Sequence, residues 1–219
     1  MEPYIIKEPV NREPEAFSTD TPLRPDAFEQ SDAEKISEIE YHFSRILQAL
    51  GLDLKDDSLS ATPARVAKMF VKELFSGLNP ANKPGISLFE NKYGYTRMLI
   101  EKDITLYSCC EHHFVPIIGK VHVAYIPGAQ VIGLSKINRL VQYYAKRPQV
   151  QERLTIQIAD GLKAALGHED VAVVVEADHL CVAARGIRDT QSNTVTASYS
   201  GKFQNENTRA EFLAFIRNK

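Results

Sequence analysis

The sequence predicts an α+β protein in which helices pack on one face of an antiparallel four-stranded sheet. The second half of the chain reads as strand, strand, helix, helix, strand, strand, an order typical of this class. The segment before it carries two amphipathic helical patterns. With 219 residues, the chain is long enough to bury one sizeable core.

Residues 1–30 are predicted to form a flexible N-terminal extension. The stretch is rich in proline, and its acidic residues outnumber its basic ones. Such a segment cannot bury enough apolar surface to offset the entropy that it would lose on ordering.

Residues 31–90 are predicted to form an N-terminal helical region. A first helix begins near Ser31 and ends at Gly51, because apolar residues recur between them at three- and four-residue steps. A second helix opens at Thr62 as the N-cap, with Pro63 at the first helical position. The predicted buried faces hold Ile36, Ile39, Phe43, Ile46, Leu47 and Leu50 in the first helix and Val66, Met69, Phe70 and Leu74 in the second.

Residues 91–219 are predicted to form the sheet domain. Alternating apolar residues indicate the strands, and apolar residues at helical spacing indicate the helices between them. The predicted elements are strands at 97–108 and 119–126, helices at 136–146 and 150–166, strands at 171–177 and 194–200, and a closing helix with Phe212, Leu213 and Ile216.

The composition excludes several classes of protein. A net charge of -2 argues against a surface that binds nucleic acid. No apolar run approaches the roughly 18 residues that a membrane span needs. The first residues lack the layout of a signal peptide, and three cysteines suit reduced thiols or a metal site better than a disulfide framework. We therefore expect a cytoplasmic protein with neither a membrane nor a nucleic-acid partner.

Two short segments hold all three cysteines and three of the six histidines, at 109–113 and at 179–181. Cys110 and His113 have the spacing to bind one zinc ion from a turn, and Cys181 can supply a third ligand. Three protein ligands leave one coordination position open, as in catalytic zinc sites. On spacing alone, buried core thiols and surface histidines remain an equal alternative.

Basic residues form a second constellation. Arg65 and Lys68 lie one helical turn apart, as do Lys136 and Arg139, and Arg185 follows the last cysteine. Cations near a helix start attract phosphate, although each of these residues alone is also compatible with a solvated face.

Two helix starts carry polar residues whose roles the spacing leaves open. Ser135 reads as a hydroxyl N-cap, which is the ordinary role of serine at a helix start. Gln151 and Glu152 open the following helix, where an acidic residue is an ordinary partner of the helix dipole.

Several motifs together resemble the signatures of one family, GTP cyclohydrolase I. They are Cys-Glu-His-His-Phe at 110–114, Gly-Leu-Ser-Lys-Ile-Asn-Arg at 133–139, Arg-Pro-Gln-Val-Gln-Glu-Arg-Leu at 147–154, and His-Leu-Cys at 179–181 with Ala-Arg-Gly at 184–186. Stretches at 57–69 and 207–213 are similar as well, so the resemblance covers roughly residues 31–219.

The resemblance implies the tunnelling fold, a ββααββ unit that assembles into a ring-shaped homodecamer with active sites between subunits. It makes residues 91–219 the catalytic domain. It also implies GTP as the substrate, and formate and 7,8-dihydroneopterin triphosphate as the products, in the first step of tetrahydrofolate and pterin biosynthesis. Allosteric control remains open.

The resemblance also implies a role for each site residue. It assigns zinc to Cys110, His113 and Cys181. It assigns the acid that protonates N7 of the purine to His112, and proton transfers near the ribose to His179 and Ser135. Guanine recognition falls to Glu152 with Gln151, and the triphosphate to Arg65, Lys68, Lys136, Arg139 and Arg185.

Two residues of the motifs remain outside these roles. Arg153 is equally compatible with a structural role. Cys109 would face away from its neighbour on a strand, so we expect it to pack in the core without binding the metal.

Three alternatives to the cyclohydrolase remain. Other tunnelling-fold enzymes act on pterins or deazaguanines, and the fold alone does not separate them. A zinc-dependent nucleobase deaminase would carry H-x-E and a later P-C-x-x-C, and this chain has neither. A zinc scaffold without catalysis would close the metal with four protein ligands, and the sequence offers no convincing fourth.

Overall fold

The computed structural model describes residues 18–217. Its helices are α1 (Asp32–Ala49), α2 (Thr62–Met69), α3 (Leu134–Ala145), α4 (Gln151–Leu166), α5 (Leu180–Ala183) and α6 (Glu206–Arg217). Its strands are β1 (Leu88–Glu90), β2 (Leu99–Cys110), β3 (Pro116–Tyr125), β4 (Gln130–Ile132), β5 (Pro148–Gln149), β6 (Val171–His179) and β7 (Thr194–Tyr199).

The main sheet has the strand order β5-β2-β3-β6-β7. Its four long strands are antiparallel, which confirms the predicted α+β sheet. The sequence did not predict β5, which pairs in parallel with the last two residues of β2. It also did not predict the separate two-stranded sheet of β1 and β4.

The core lies between the main sheet and the helices α3 and α4. Leu140 of α3 and Leu154 and Ile158 of α4 are fully buried against Val121 and Val175 of the sheet. These side chains have the spacing that the sequence predicted for one apolar stripe on each helix.

The closing helix α6 packs on the opposite face of the sheet. Phe212 of α6 and Phe203 are fully buried there with Ala124, Ala172 and Val174. Successive strand residues point to opposite faces, so β3 and β6 contribute apolar side chains to both layers.

The helical region begins as predicted, and Ser31 caps α1 in a capping box with Glu34. Gly51 follows the helix at a φ of 82°, a left-handed conformation that glycine adopts without steric cost.

The predictions for the buried faces and for the second N-cap were partly wrong. Ile46 is 51% exposed, Leu50 71% and Leu74 39%, although the apolar stripes placed all three inside. Helix α2 has Ala61 as its N-cap, so Thr62 already belongs to the helix and caps nothing. The error arises because threonine followed by proline fits either of two adjacent positions in the first turn.

The predicted flexible extension lies partly outside the described residues, which begin at position 18. Two of its residues contact the sheet domain. The Thr19 carbonyl accepts a hydrogen bond of 2.7 Å from Gln157, and the Thr21 hydroxyl accepts one of 3.2 Å from Arg147. Across residues 18–217, no helix combines the length and apolar character that crossing a membrane requires.

Candidate active site

The pairing of three strands brings together the two segments that hold the cysteines, 109–113 and 179–181. At one end of the sheet, Cys109 at the end of β2 pairs with Pro116 at the start of β3. The next residue of β3, Ile117, pairs with His179, the last residue of β6. The short helix α5 then carries Cys181 onward from that same end.

Three side chains form a cluster that can hold a metal. The ligand atoms of Cys110, His113 and Cys181 all lie within 4.8 Å of one another. A tight turn presents the first two, because the Phe114 amide donates to the Cys110 carbonyl at 2.9 Å. Phe114 adopts a φ of 54°, an uncommon left-handed conformation for a large residue. The structure therefore brings together the three residues that the sequence proposed as ligands.

The donor set suits zinc, which binds thiolates and imidazoles in tetrahedral sites. Burial raises the pKa of Cys181, and the adjoining Cys110 thiol raises it further, whereas Arg185 opposes the shift. The Cys110 thiol thus disfavours ionisation of Cys181, and a divalent cation between the two sulfur atoms would reverse that preference. The residues present thus fit the metal that the sequence analysis expected.

Cys109 lies outside the cluster, as expected for a residue whose side chain points away from that of Cys110. It is 5% exposed, and burial raises its pKa to about 11, with a smaller contribution from Cys110. Cys109, Tyr107 and Phe114 are among the residues that line a pocket of about 680 Å³.

His112 lies on the exposed side of the turn that carries Cys110 and His113 (the ligand turn). Its ring is 63% exposed, its Nδ1 is 3.8 Å from the Cys110 sulfur, and its Nε2 is 3.9 Å from a Glu111 carboxylate oxygen. It can therefore reach a substrate that approaches the metal from solvent.

His179 is held by Gln151 at the start of α4. The Gln151 amide nitrogen donates to the carbonyls of Val175 and Thr194 at 3.1 and 2.9 Å. The amide oxygen therefore faces the His179 Nε2, 2.8 Å away, and must accept a hydrogen bond from an N–H at that nitrogen. Neutral His179 thus carries its proton on Nε2 and leaves Nδ1 as an acceptor.

Burial favours the neutral form of His179. It lowers the pKa of the imidazole, while the nearby carboxylates of Glu152 and Asp178 partly oppose that shift. Glu152 is exposed, whereas Gln151 is 1% exposed and uses its whole side chain internally. The polar side-chain atoms of Gln151 are therefore already engaged in internal hydrogen bonds.

The cations predicted to bind phosphate lie on separate elements. Arg65 and Lys68 lie on the exposed side of α2, Lys136 and Arg139 lie in the first turns of α3, and Arg185 follows α5. Of these five, Arg185 is near enough to the cluster to lower the pKa of Cys181.

Ser135 is exposed in the first turn of α3. The N-cap of that helix is Gly133, so the expectation that Ser135 acts as the cap was wrong. Its hydroxyl makes none of the side-chain hydrogen bonds found among residues 18–217, which leaves it available to a ligand.

Glu111 had no predicted role, although it stands between Cys110 and His112 in the motif. Its carboxylate forms an ion pair with Arg153 on the first turn of α4. Its position inside the motif was the one available signal, because the pairing partner lies 42 residues further along the chain.

Comparison with known proteins shows high similarity over most of the chain. The sequence profile of the family described as GTP cyclohydrolase I matches residues 39–217. A GTP cyclohydrolase 1 from Flavobacterium johnsoniae is 61% identical over 196 residues, covering 90% of this chain and 88% of that protein. A GTP cyclohydrolase 1 from Escherichia coli is 56% identical over 203 residues, covering 92% of this chain and 91% of that protein. A solved structure described as the archaeosine synthase QueF-Like in the apo form is 21% identical, with a TM-score of 0.40, and covers 48% of this chain and 93% of its own.

The burial of Gln151 and the exposure of Glu152 predict different effects of substitution on the free energy of unfolding. Replacing Gln151 by leucine leaves the carbonyls of buried Val175 and of Thr194 without the Gln151 donor, so we expect the free energy of unfolding to fall by about 1–3 kcal/mol. The control Glu152→Gln, at an exposed position, should change it by less than about 0.5 kcal/mol. Urea denaturation followed by circular dichroism measures both. Equal stability of the two variants would contradict the assignment.

Proposed function

The chain belongs to the GTP cyclohydrolase I family, and from this premise we propose that it opens the imidazole ring of GTP by zinc-dependent hydrolysis at C8. It is a hydrolase with the tunnelling fold of that family. Release of formate, rearrangement of the ribose and ring closure would give 7,8-dihydroneopterin triphosphate. This reaction would be the first step of tetrahydrofolate and pterin biosynthesis.

The observation that carries the proposal is the Cys110, His113 and Cys181 cluster, with two further histidines beside it. Cys110, His113 and Cys181 would hold the zinc ion and leave one position open. A zinc ion held there would act as a Lewis acid and would lower the pKa of a bound water to about 7, which is the chemistry that hydrolysis of the ring requires.

His112 is the proposed acid for the first step. Purine C8 is a poor electrophile until N7 gains a proton, so an acid has to stand beside the metal. His112 meets this requirement because it adjoins the ligand turn and its ring is 63% exposed.

His179 and Ser135 are the proposed groups for the ribose steps. The Gln151 contact fixes the proton of neutral His179 on Nε2, so Nδ1 can accept a proton and return it later. The exposed Ser135 hydroxyl can donate to and accept from a sugar oxygen.

Glu152 is the proposed determinant of guanine recognition, with the Gln151 backbone assisting. A carboxylate can accept two hydrogen bonds, from guanine N1–H and from the exocyclic amine. Adenine offers no such pair of donors, so the same site would reject it. The exposed position of Glu152 at the start of α4 leaves both oxygens available.

The triphosphate would bind to five of the cations that the motifs contain. Because the chain has a net charge of -2, affinity for a polyanion has to come from a local cluster. The proposed cluster consists of Arg65, Lys68, Lys136, Arg139 and Arg185.

We also propose a homodecamer with active sites between subunits. Within residues 18–217, both edges of the main sheet have strands with unpaired backbone groups. At one edge β5 pairs with only two residues of β2, and at the other edge β7 has no outer partner strand. Open strands are templates for pairing with another chain. Val195 on β7 is 59% exposed and Leu50 after α1 is 71% exposed, as expected for surfaces that a neighbouring subunit covers.

The assembly is tested by sedimentation velocity at the concentrations used for activity. We expect the active species to sediment as a decamer, since the separate cations would need a neighbouring chain to complete one site. A fully active single chain would contradict the proposal.

The remaining proposals concern organisation and location. We assign residues 31–90 to a helical region and 91–219 to the catalytic domain. The three free cysteines suit a reducing cytoplasm. Neither a nucleic acid nor a membrane is proposed as a partner.

The reaction itself is tested with zinc-loaded protein and GTP. We expect formate in equal amount to the GTP consumed, and a product that becomes fluorescent after oxidation to a pterin. Glu152→Gln should lower kcat/KM on the order of 10- to 100-fold, since it removes a charged hydrogen-bond acceptor. Release of ammonia in place of formate would favour a deaminase and contradict the proposal.

Two variants separate the acid from the ligands. His112→Ala should retain stoichiometric zinc while turnover falls about 10²- to 10⁴-fold, because the proton donor is lost and the ligand set is intact. Cys181→Ser should lose both zinc and activity. Zinc is measured by atomic absorption and turnover by product fluorescence. Full zinc content in Cys181→Ser, or normal turnover in His112→Ala, would contradict the assignments.

A further inference from the structure

Arg153 connects the start of α4 to the proposed ligand turn. Its guanidinium forms an ion pair with Glu111, and the two side chains are only 13% and 27% exposed. The same guanidinium donates to the Pro148 carbonyl at 2.9 Å, and its Nε donates to the Gln149 side-chain oxygen at 3.0 Å. These two hydrogen bonds fix the orientation of the Arg153 side chain independently of its ion pair with Glu111.

The partner that fixes Arg153 is itself rigid. Gln149 is fully buried, and its amide nitrogen donates to the Tyr144 carbonyl and to Gln157, both at 2.9 Å. The Gln149 backbone carbonyl also accepts a hydrogen bond of 3.0 Å from the Glu111 amide. Glu111 is thus held at both its backbone and its side chain by one short segment of chain.

Glu111 stands between the proposed ligands and the proposed acid. One carboxylate oxygen contacts Arg153, and the other is 3.9 Å from the His112 Nε2. The opposite ring nitrogen of His112 is 3.8 Å from the Cys110 sulfur. A displacement of Glu111 would therefore move both the acid and the turn that carries Cys110 and His113.

We propose that Arg153 is a positioning residue for the turn that carries Cys110 and His113. It fixes Glu111, and through Glu111 it holds Cys110 and His113 in the geometry that zinc requires and His112 in its orientation. The inference rests on the zinc site proposed above. It goes beyond that proposal because it assigns a function to two residues that touch neither the metal nor the substrate.

A residue that only stabilises the fold and a residue that orients metal ligands differ in the effect of their loss. Loss of a residue that only stabilises the fold lowers the free energy of unfolding and leaves the affinity for zinc unchanged. Loss of a group that orients metal ligands lowers metal affinity, typically about 10- to 100-fold. Zinc affinity of the folded protein therefore distinguishes the two roles.

The test uses the full chain and zinc alone. The apparent zinc affinity is measured by competition with a chromophoric chelator for wild type, Arg153→Lys, Arg153→Met and Glu111→Gln. We expect Arg153→Met and Glu111→Gln to bind zinc about 10- to 100-fold more weakly. Arg153→Lys should fall between them and wild type, because one ammonium cannot replace all three guanidinium contacts.

Lys163→Met is the matched control, because Lys163 forms ion pairs with Asp160 and Glu169 at the other end of the same helix. It should keep wild-type zinc affinity. Circular dichroism confirms folding, and Glu111→Gln preserves side-chain volume, so it decides the question if Arg153→Met fails to fold.

A double variant tests whether the two residues act together. If Arg153 acts through Glu111, then Arg153→Met combined with Glu111→Gln should bind zinc no more weakly than the weaker single variant. Wild-type zinc affinity in Glu111→Gln, or additive losses in the double variant, would overturn the inference. A wild-type protein that binds no zinc would instead contradict the zinc site itself.

Discussion

The register between β3 and β6 is the constraint on which the proposed active site depends. It pairs Ile117 with His179, and so brings the end of β6 beside the turn that follows β2. A slip of one residue would turn every side chain of a strand to the other face. Gly119 permits the close pairing, because a Cβ there would lie 2.0 Å from the Glu176 carbonyl oxygen. The geometry of the Cys110, His113 and Cys181 cluster is therefore a property of the sheet as much as of the turn that carries Cys110 and His113.

Helix α4 supplies the second constraint, since its first turn uses three consecutive residues for three different tasks. Gln151 is buried and fixes the tautomer of His179. Glu152 is exposed and is the proposed contact of the guanine base, and Arg153 forms an ion pair with Glu111. Successive helical residues point about 100° apart, so one turn can serve the core, the substrate and the ligand turn together. The buried side chains of the same helix anchor that turn to the sheet.

Much of this fold could be predicted from the sequence, because strands and helices carry their own periodicities. The long strands and both core helices lie where the apolar patterns placed them. The two-residue strand β5 was missed because two residues show no periodicity, and one of them is a proline. Leu50 and Leu74 were placed in the core because periodicity identifies an apolar face without identifying what covers it. Motif spacing identified the three residues whose side chains cluster. The contact between Arg153 and Glu111 depends on the fold, which motif spacing does not describe.

X-ray absorption at the zinc edge of the purified wild-type protein tests most directly whether Cys110, His113 and Cys181 bind zinc and leave one position open. We expect two sulfur ligands at about 2.3 Å and two nitrogen or oxygen ligands at about 2.0–2.1 Å, of which one exchanges with solvent. A shell of four sulfur atoms, or one without sulfur, would contradict it.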